Sequence, residues 1–173
     1  KNIDHHNLFF HSDVDKHSEQ VHIKPEWPTD PLFYVCCPSK TDDSVAPEGS
    51  ENLFFLIPIA SGLEDTEKQR QYYFDLVIQK FEYITDQNIK ENIVYKKSYC
   101  INDFKDDYNA YKGNAYGLAN TITQTANLKP KIKSKKVNNL FFCGQLTVPG
   151  PGVPPSIISG EISANELLKQ LEL

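Results

Sequence analysis

The residues best suited to chemistry lie close together in residues 144–160, GQLTVPGPGVPPSIISG. The preceding run NLFFC (139–143) reads as a compact buried strand that ends at Gly144, and residues 155–171 read as a helix. Strand, glycine turn, helix is the layout of a nucleotide-cofactor site. Gly150 and Gly152 keep the turn free of Cβ atoms, so a flat ligand can approach the backbone. Pro155 can open the helix, because first-turn N–H groups have no intrahelical partner. Pro154 and Pro155 carry no N–H themselves, so donors aimed at a ligand are expected from Val153, Ser156 and Ile157. The helix N-terminus carries roughly half a positive charge, which stabilises an electron-rich ligand edge. Ser156, Gly160 and Ala164 recur at four-residue steps and make a small-residue face that permits close packing. Ile158, Ile162 and Leu168 mark the opposite side. The competing reading of these residues is a strand–turn–helix that holds no ligand.

Other polar groups compete for a chemical role. Asp103, Asp106 and Asp107 cluster near Tyr108, and Glu161 sits in the last helix. The three aspartates are read either as a proton acceptor or as a solvated surface, and the surface is the expected one. All five histidines, His5, His6, His11, His17 and His22, fall early in the chain. Their spacing matches no known ligand pattern and their flanks are polar, so exposed histidines on a loop, with no metal, are expected. The four cysteines, Cys36, Cys37, Cys100 and Cys143, form no C-x-x-C pair. Reduced cysteines, mostly in the core, are expected, as suits the cytoplasm. Cys36 and Cys37 would point to opposite faces of a strand, which disfavours a bond between them.

These residues need elements to position them. A chain of 173 residues suits one domain, or one domain plus part of another. With 39% hydrophobic and 12% aromatic residues it is a folding sequence. A net charge of −5 excludes a general nucleic-acid footprint. No apolar run approaches the length of a membrane span, and no signal peptide pattern is visible. The opening on Lys1 and the lack of any Met suggest a piece of a longer protein. NLFF (7–10), LFYVCC (32–37) and NLFFLIPIA (52–60) read as strands, the last two as an antiparallel pair with a long polar connection. Pro58 must then lie at a strand end or edge. Residues 12–30 read as a connection. Residues 66–84 read as a helix with capping-box spacing at Thr66 and Gln69 and an apolar stripe of Tyr73, Val77, Phe81 and Ile84. Residues 93–99 alternate weakly, as a strand would. Residues 101–120 have no clear period, and Gly113 and Gly117 mark turns or a close backbone approach. Phe33, Tyr34, Phe54 and Phe55 either pack a core or line a ligand tunnel, and core packing is the expected role. The fold class is α+β: an antiparallel sheet with a covering helix, followed by the strand–turn–helix.

The motifs narrow this further. GQLTVPGPGVPPSIISGE resembles the C-terminal flavin-contacting motif of the phytoene desaturase family. FYVCCPSKTDDSVAPEGSENLFFLIP looks like the family's substrate-domain hairpin, DYNAYKGNAYGLANTITQTA like its approach to the flavin, and KVNNLFFCGQLTVPG like its final strand. The resemblance runs from about residue 6 to the end. It implies an FAD enzyme, related to amine oxidases, that desaturates a lipophilic polyene by hydride transfer to the flavin. Residues 1–120 would then belong to the substrate domain and 121–173 to the FAD-binding domain. By the same resemblance Gly144, Gln145, Gly152, Val153, Pro154 and Ser156 are the cofactor-binding residues, with Gln145 near the ribityl chain and Gly152, Val153 and Pro154 bordering the ring. Gln145 stands where related flavoproteins often carry an acid, and an amide can both donate and accept there. The family's G-x-G-x-x-G motif for the ADP half of FAD is absent, so the chain alone is expected to bind FAD weakly or not at all and to lack activity. The same resemblance leaves the catalytic acid or base unidentified. It implies a cytoplasmic protein with peripheral membrane contact, and an incomplete domain prone to self-association. A carotenoid isomerase or saturase on the same flavin scaffold, and a non-catalytic lipid-binding module, are the alternatives.

Overall fold

The computed structural model describes residues 3–119 and 121–171. They form two compact units, the first ending at Asp103 and the second beginning at Phe104.

In the first unit the three apolar runs form one antiparallel sheet. Its strands are β1 (His6–Phe9), β2 (Phe33–Cys36) and β3 (Phe54–Leu56), in that order. The register pairs Phe9 with Phe33 and Leu8 with Tyr34. It then pairs Tyr34 with Leu56, Val35 with Phe55 and Cys36 with Phe54. The period of two therefore sorts the side chains into two sets. Phe9, Phe33, Val35 and Phe55 join Val77 and Phe81 in the core. Leu8, Tyr34, Cys36, Phe54 and Leu56 lie on the other face. Phe33 and Phe55 pack the core as expected, and Tyr34 and Phe54 lie on the opposite face. The long connection between β2 and β3 is present, and Pro58 lies outside β3 as expected.

The helix α2 (Glu67–Thr85) starts where the capping residues place it: the Gln69 N–H donates to Thr66 Oγ1 at 3.2 Å. Tyr73, Val77, Ile78 and Phe81 are buried. Ile84 is exposed, because the buried arc is centred on Phe81 and turned toward Ile78 and Thr85. The helix stops at Asp86, whose φ of 52° is left-handed.

Three expectations for the first unit are corrected. The stretch read as a connection contains a helix, α1 (Val14–His22), capped by Asp13, whose carboxylate accepts the Lys16 N–H at 3.0 Å. Its buried residues are His17 and Gln20, so it has no apolar stripe to reveal it. His17 is therefore not an exposed loop residue: its Nδ1 accepts the Leu32 N–H at 3.0 Å, and its Nε2 lies 2.8 Å from the Pro58 carbonyl. Residues 93–99 form no strand; two lysines and two tyrosines in a weakly alternating run give no buried face to pair. Residues 101–108, which lacked a clear period, form the helix α3 (Ile101–Tyr108), across which the two units divide. All four cysteines are free, with Cys37 buried, Cys36 and Cys100 half-buried and Cys143 exposed.

The second unit holds short 3-10 turns and the helix α4 (Val153–Gln170). The strand expected over residues 139–143 is reduced to one antiparallel bridge between Lys133 and Phe141. A buried strand needs a ladder of partners, and here the only ladder bonds among the described residues run from the Ser134 N–H to the Leu140 carbonyl and from the Phe142 N–H to the Ile132 carbonyl. Leu140 and Phe142 are accordingly exposed. Among the described residues no helix is long and apolar enough to cross a membrane.

Candidate functional site

The turn before α4 is built on glycine. Gly144, Gly150 and Gly152 have φ of +101°, +141° and +111°, a region that side chains rarely enter. The Thr147 N–H and Oγ1 both donate to the Gly144 carbonyl, at 3.2 and 3.0 Å, closing the first bend. The Val148–Pro149 peptide is cis.

One side chain ties this turn to the helix. The Gly144 N–H donates to Ser159 Oγ at 2.6 Å, and Ser159 Oγ donates to the Ser156 carbonyl at 2.7 Å. Ser159 is 0% exposed. The sequence reading favoured Ser156, Gly160 and Ala164 as the packing face and missed Ser159. The signal was present in a second small-residue series, Ser156, Ser159 and Ser163, at three- and four-residue steps. Ser159→Ala should leave the half-buried Gly144 N–H without this partner and lower stability by about 1 kcal/mol. Urea denaturation should read this loss, and hydrogen exchange should speed at the Gly144 amide. Ser156→Ala should change stability by less than about 0.5 kcal/mol.

Two further segments grip the turn. A Cβ on Gly117 would overlap Leu146 Cδ2 and lie 3.9 Å from Gln145 Cγ. A Cβ on Gly150 would lie 3.2 Å from Cε of the buried Lys129. The glycine at 117 is thus required both by its φ of +80° and by this close approach.

The donor set at the helix start differs from expectation. Gly152 is the N-cap and Val153 the first helical residue, two positions earlier than predicted. The Ser156 N–H donates to the Gly152 carbonyl at 3.0 Å, so it is used inside the helix, and Ile157 lies beyond the first turn. Val153, Pro154 and Pro155 fill the first three places, so Val153 alone offers an outward N–H. Gly144, Gln145 and Ser156 are half-buried, while Gly152, Val153 and Pro154 are exposed. A Cβ built on Gly144 meets nothing within 4 Å. The turn therefore presents open backbone at Gly144 and a donor at the positive end of a helix, with the Lys129 amine behind Gly150, which fits the electron-rich edge of a flat ring.

The acidic candidates separate. Asp106, Asp107 and Glu161 are exposed. Asp103 is not simply solvated: its Oδ2 lies 2.7 Å from an Arg70 guanidinium nitrogen and accepts the Cys100 N–H at 2.7 Å. Burial pushes the Cys100 thiol pKa up.

No family model matches the chain. Two relatives align over nearly all of it. It is 45% identical over 169 residues to a carotenoid 3,4-desaturase of Haloarcula japonica, an alignment covering 98% of this chain and 34% of that protein. It is 32% identical over 174 residues to a 4,4'-diapophytoene desaturase (4,4'-diaponeurosporene-forming) of Staphylococcus aureus, covering 96% of this chain and 34% of that protein. The chain belongs to the carotenoid desaturase family and spans about a third of the length of the curated relatives it matches, 34% in both cases.

Proposed function

We propose that this chain is part of an FAD-dependent oxidoreductase that desaturates phytoene-like carotenoid precursors. Residues 121–173 supply part of the flavin site and residues 1–120 the substrate side. The observation that carries this reading is the turn itself: three left-handed glycines in one bend, open at Gly144, pinned through Ser159 to the start of α4. FAD, when bound, supplies the acceptor for the hydride. Gly152, Val153 and Pro154 border its ring, and the Val153 N–H and the helix end favour negative charge there. Gln145 contacts the ribityl chain, and Ser156 lies behind the turn. Gly144 carries the backbone past the cofactor without a side chain.

On the substrate side, Leu8, Tyr34, Phe54 and Leu56 form the sheet face opposite α2, and Leu8 and Phe54 are more than half exposed. An apolar face of this kind suits a polyene chain. A substrate dissolved in lipid favours a cytoplasmic protein that touches the membrane peripherally. On α4, Val153, Ile157 and Ile158 are exposed, which favours association with further protein or with a second copy.

The test is an absorbance spectrum of the full-length protein beside this chain, each after adding FAD. Flavin bands in the full-length protein and none in the chain are expected. Flavin bound by neither would overturn the reading. Product analysis with phytoene then separates desaturation from isomerisation or saturation, which leave a different count of double bonds.

A further inference from the structure

The sheet brings together three metal-ligating side chains that the sequence separates. His5 and His6 are neighbours in the chain, and Cys36 is the cross-strand partner of His6. One ligand atom from each of His5, His6 and Cys36 lies within 4.8 Å of the others. We propose that these three residues bind a thiophilic divalent transition metal, zinc in chemical class, at the edge where β1 begins and β2 ends. This site is separate from the flavin reading and does not depend on it.

The geometry is close to what such an ion requires. Zinc binds imidazole nitrogen at about 2.0–2.1 Å and thiolate sulfur at about 2.3 Å, so tetrahedral ligands stand roughly 3.4–3.7 Å apart. The ligand atoms, within 4.8 Å of one another, stand somewhat wider than this. Two imidazoles and one thiolate are a borderline-soft set, which selects zinc or its cobalt substitute over magnesium or calcium. His5 and Cys36 are half-buried and His6 is exposed, so the fourth position opens to solvent.

The surroundings hold the ligands as outer-shell partners do. His6 Nδ1 lies 2.6 Å from the Tyr34 hydroxyl, and His5 Nδ1 lies 2.7 Å from Thr41 Oγ1. A hydroxyl on Nδ1 leaves Nε2 to take the metal. The backbone is fixed as well, because the Cys37 N–H donates to the His5 carbonyl at 2.8 Å. The two histidine rings stand 4.3 Å apart at 53°, converging although they are adjacent residues, because His5 precedes the first residue of β1. On binding, the Cys36 thiol gives its proton to solvent and its sulfur lone pair to the metal, with no change of oxidation state.

The test is titration of the full chain with cobalt(II) alone under reducing conditions. A near-ultraviolet thiolate-to-cobalt charge-transfer band and tetrahedral visible bands are expected, and zinc should abolish both. Cys36→Ser should remove the charge-transfer band, and the double variant His5→Ala/His6→Ala should remove the tetrahedral bands. These variants break the site from opposite strands, and circular dichroism checks that each is folded. Tyr34→Phe should weaken binding by roughly 10–100-fold while keeping the band, as loss of an outer-shell partner does. Cys143→Ser, at the exposed cysteine, should leave the spectrum unchanged. No thiolate band in the unaltered chain, or a band that survives Cys36→Ser and disappears with Cys143→Ser, would overturn the proposal.

Discussion

Phe81→Ala is expected to lower the stability of the first unit by about 3–5 kcal/mol, a large fraction of what a small domain holds. Phe81 is 2% exposed and is among the largest fully buried side chains of the described residues. Its ring centroid lies 5.7 Å from that of Phe9 on β1 and 5.3 Å from that of Phe55 on β3, tilted in one case and edge-on in the other. Phe9 and Phe33 stack at 4.7 Å and complete the cluster. One helical side chain thus meets aromatic residues from the two outer strands of the sheet, and truncating it removes packing from both contacts at once. Short strands of three and four residues cannot close over the space, because their register is fixed by the ladder. Phe81→Leu keeps most of the volume and should cost less than half as much. Tyr83 on the same helix is 89% exposed, so Tyr83→Ala should shift stability by no more than about 0.5 kcal/mol. Urea midpoints for the three variants check the order. Equal losses for Phe81→Ala and Tyr83→Ala would mean that α2 does not cover the sheet in solution.

Why Phe81 was legible and other residues were not follows from the kind of signal each carries. Tyr73, Val77 and Phe81 repeat at helical spacing, and Thr66 and Gln69 give the start, so α2 could be read from local pattern alone. The aromatic runs gave three strands because short continuous apolar runs bounded by polar or turn-forming segments read as strands. Gly113 and Gly117, read as turns or a close backbone approach, have positive φ, and Gly117 approaches Leu146 closely. By contrast α1 buries a histidine and a glutamine, so its inner face looks like a loop until Leu32 and Pro58 come to meet His17. Residues 139–143 have the composition of a buried strand but lack the ladder that would make them one. Ser159 looked like any helical serine; its value lies in a bond to Gly144, which is fifteen residues away in sequence. The approach of Cys36 to His5 and His6 depends on strand register, which no single-strand pattern specifies.

The same limit applies to the ion pair at the start of α2, where a second large effect is expected. Asp65→Ala should destabilise the chain by about 3 kcal/mol, the lower end of the range for breaking one side of a buried pair. The Asp65 side chain is 0% exposed and that of Arg70 is 15% exposed. Arg70 Nε donates to Asp65 Oδ1 and its second nitrogen to Oδ2, both at 2.7 Å, a bidentate fork. The carboxylate also accepts the Asn102 N–H at 2.8 Å, and the Asn102 side-chain amide donates to the Asp65 carbonyl at 3.0 Å. Asp65 thereby joins the N-terminus of α2 to the first turn of α3. Removing the carboxylate leaves Arg70 with Asp103 and Ser98 for partners, which is why the expected cost is not higher. The hydrogen bonds from Arg70 are the first cause of the lowered Asp65 pKa, and burial opposes them. A carboxylate whose pKa is lower folded than unfolded stabilises the fold above its unfolded pKa of about 3.9. That stabilisation is lost as pH falls through the lower folded value. Stability of the unaltered chain should therefore decline on acidification below about pH 4, where unfolding begins to take up the proton that folded Asp65 refuses. Asp65→Asn cannot ionise, so it should be less stable than the unaltered chain at neutral pH and should lose less on acidification. Urea unfolding from neutral pH down to about pH 3 measures both. Parallel acid profiles for the two proteins would show that the Asp65–Arg70 pair contributes nothing to the fold.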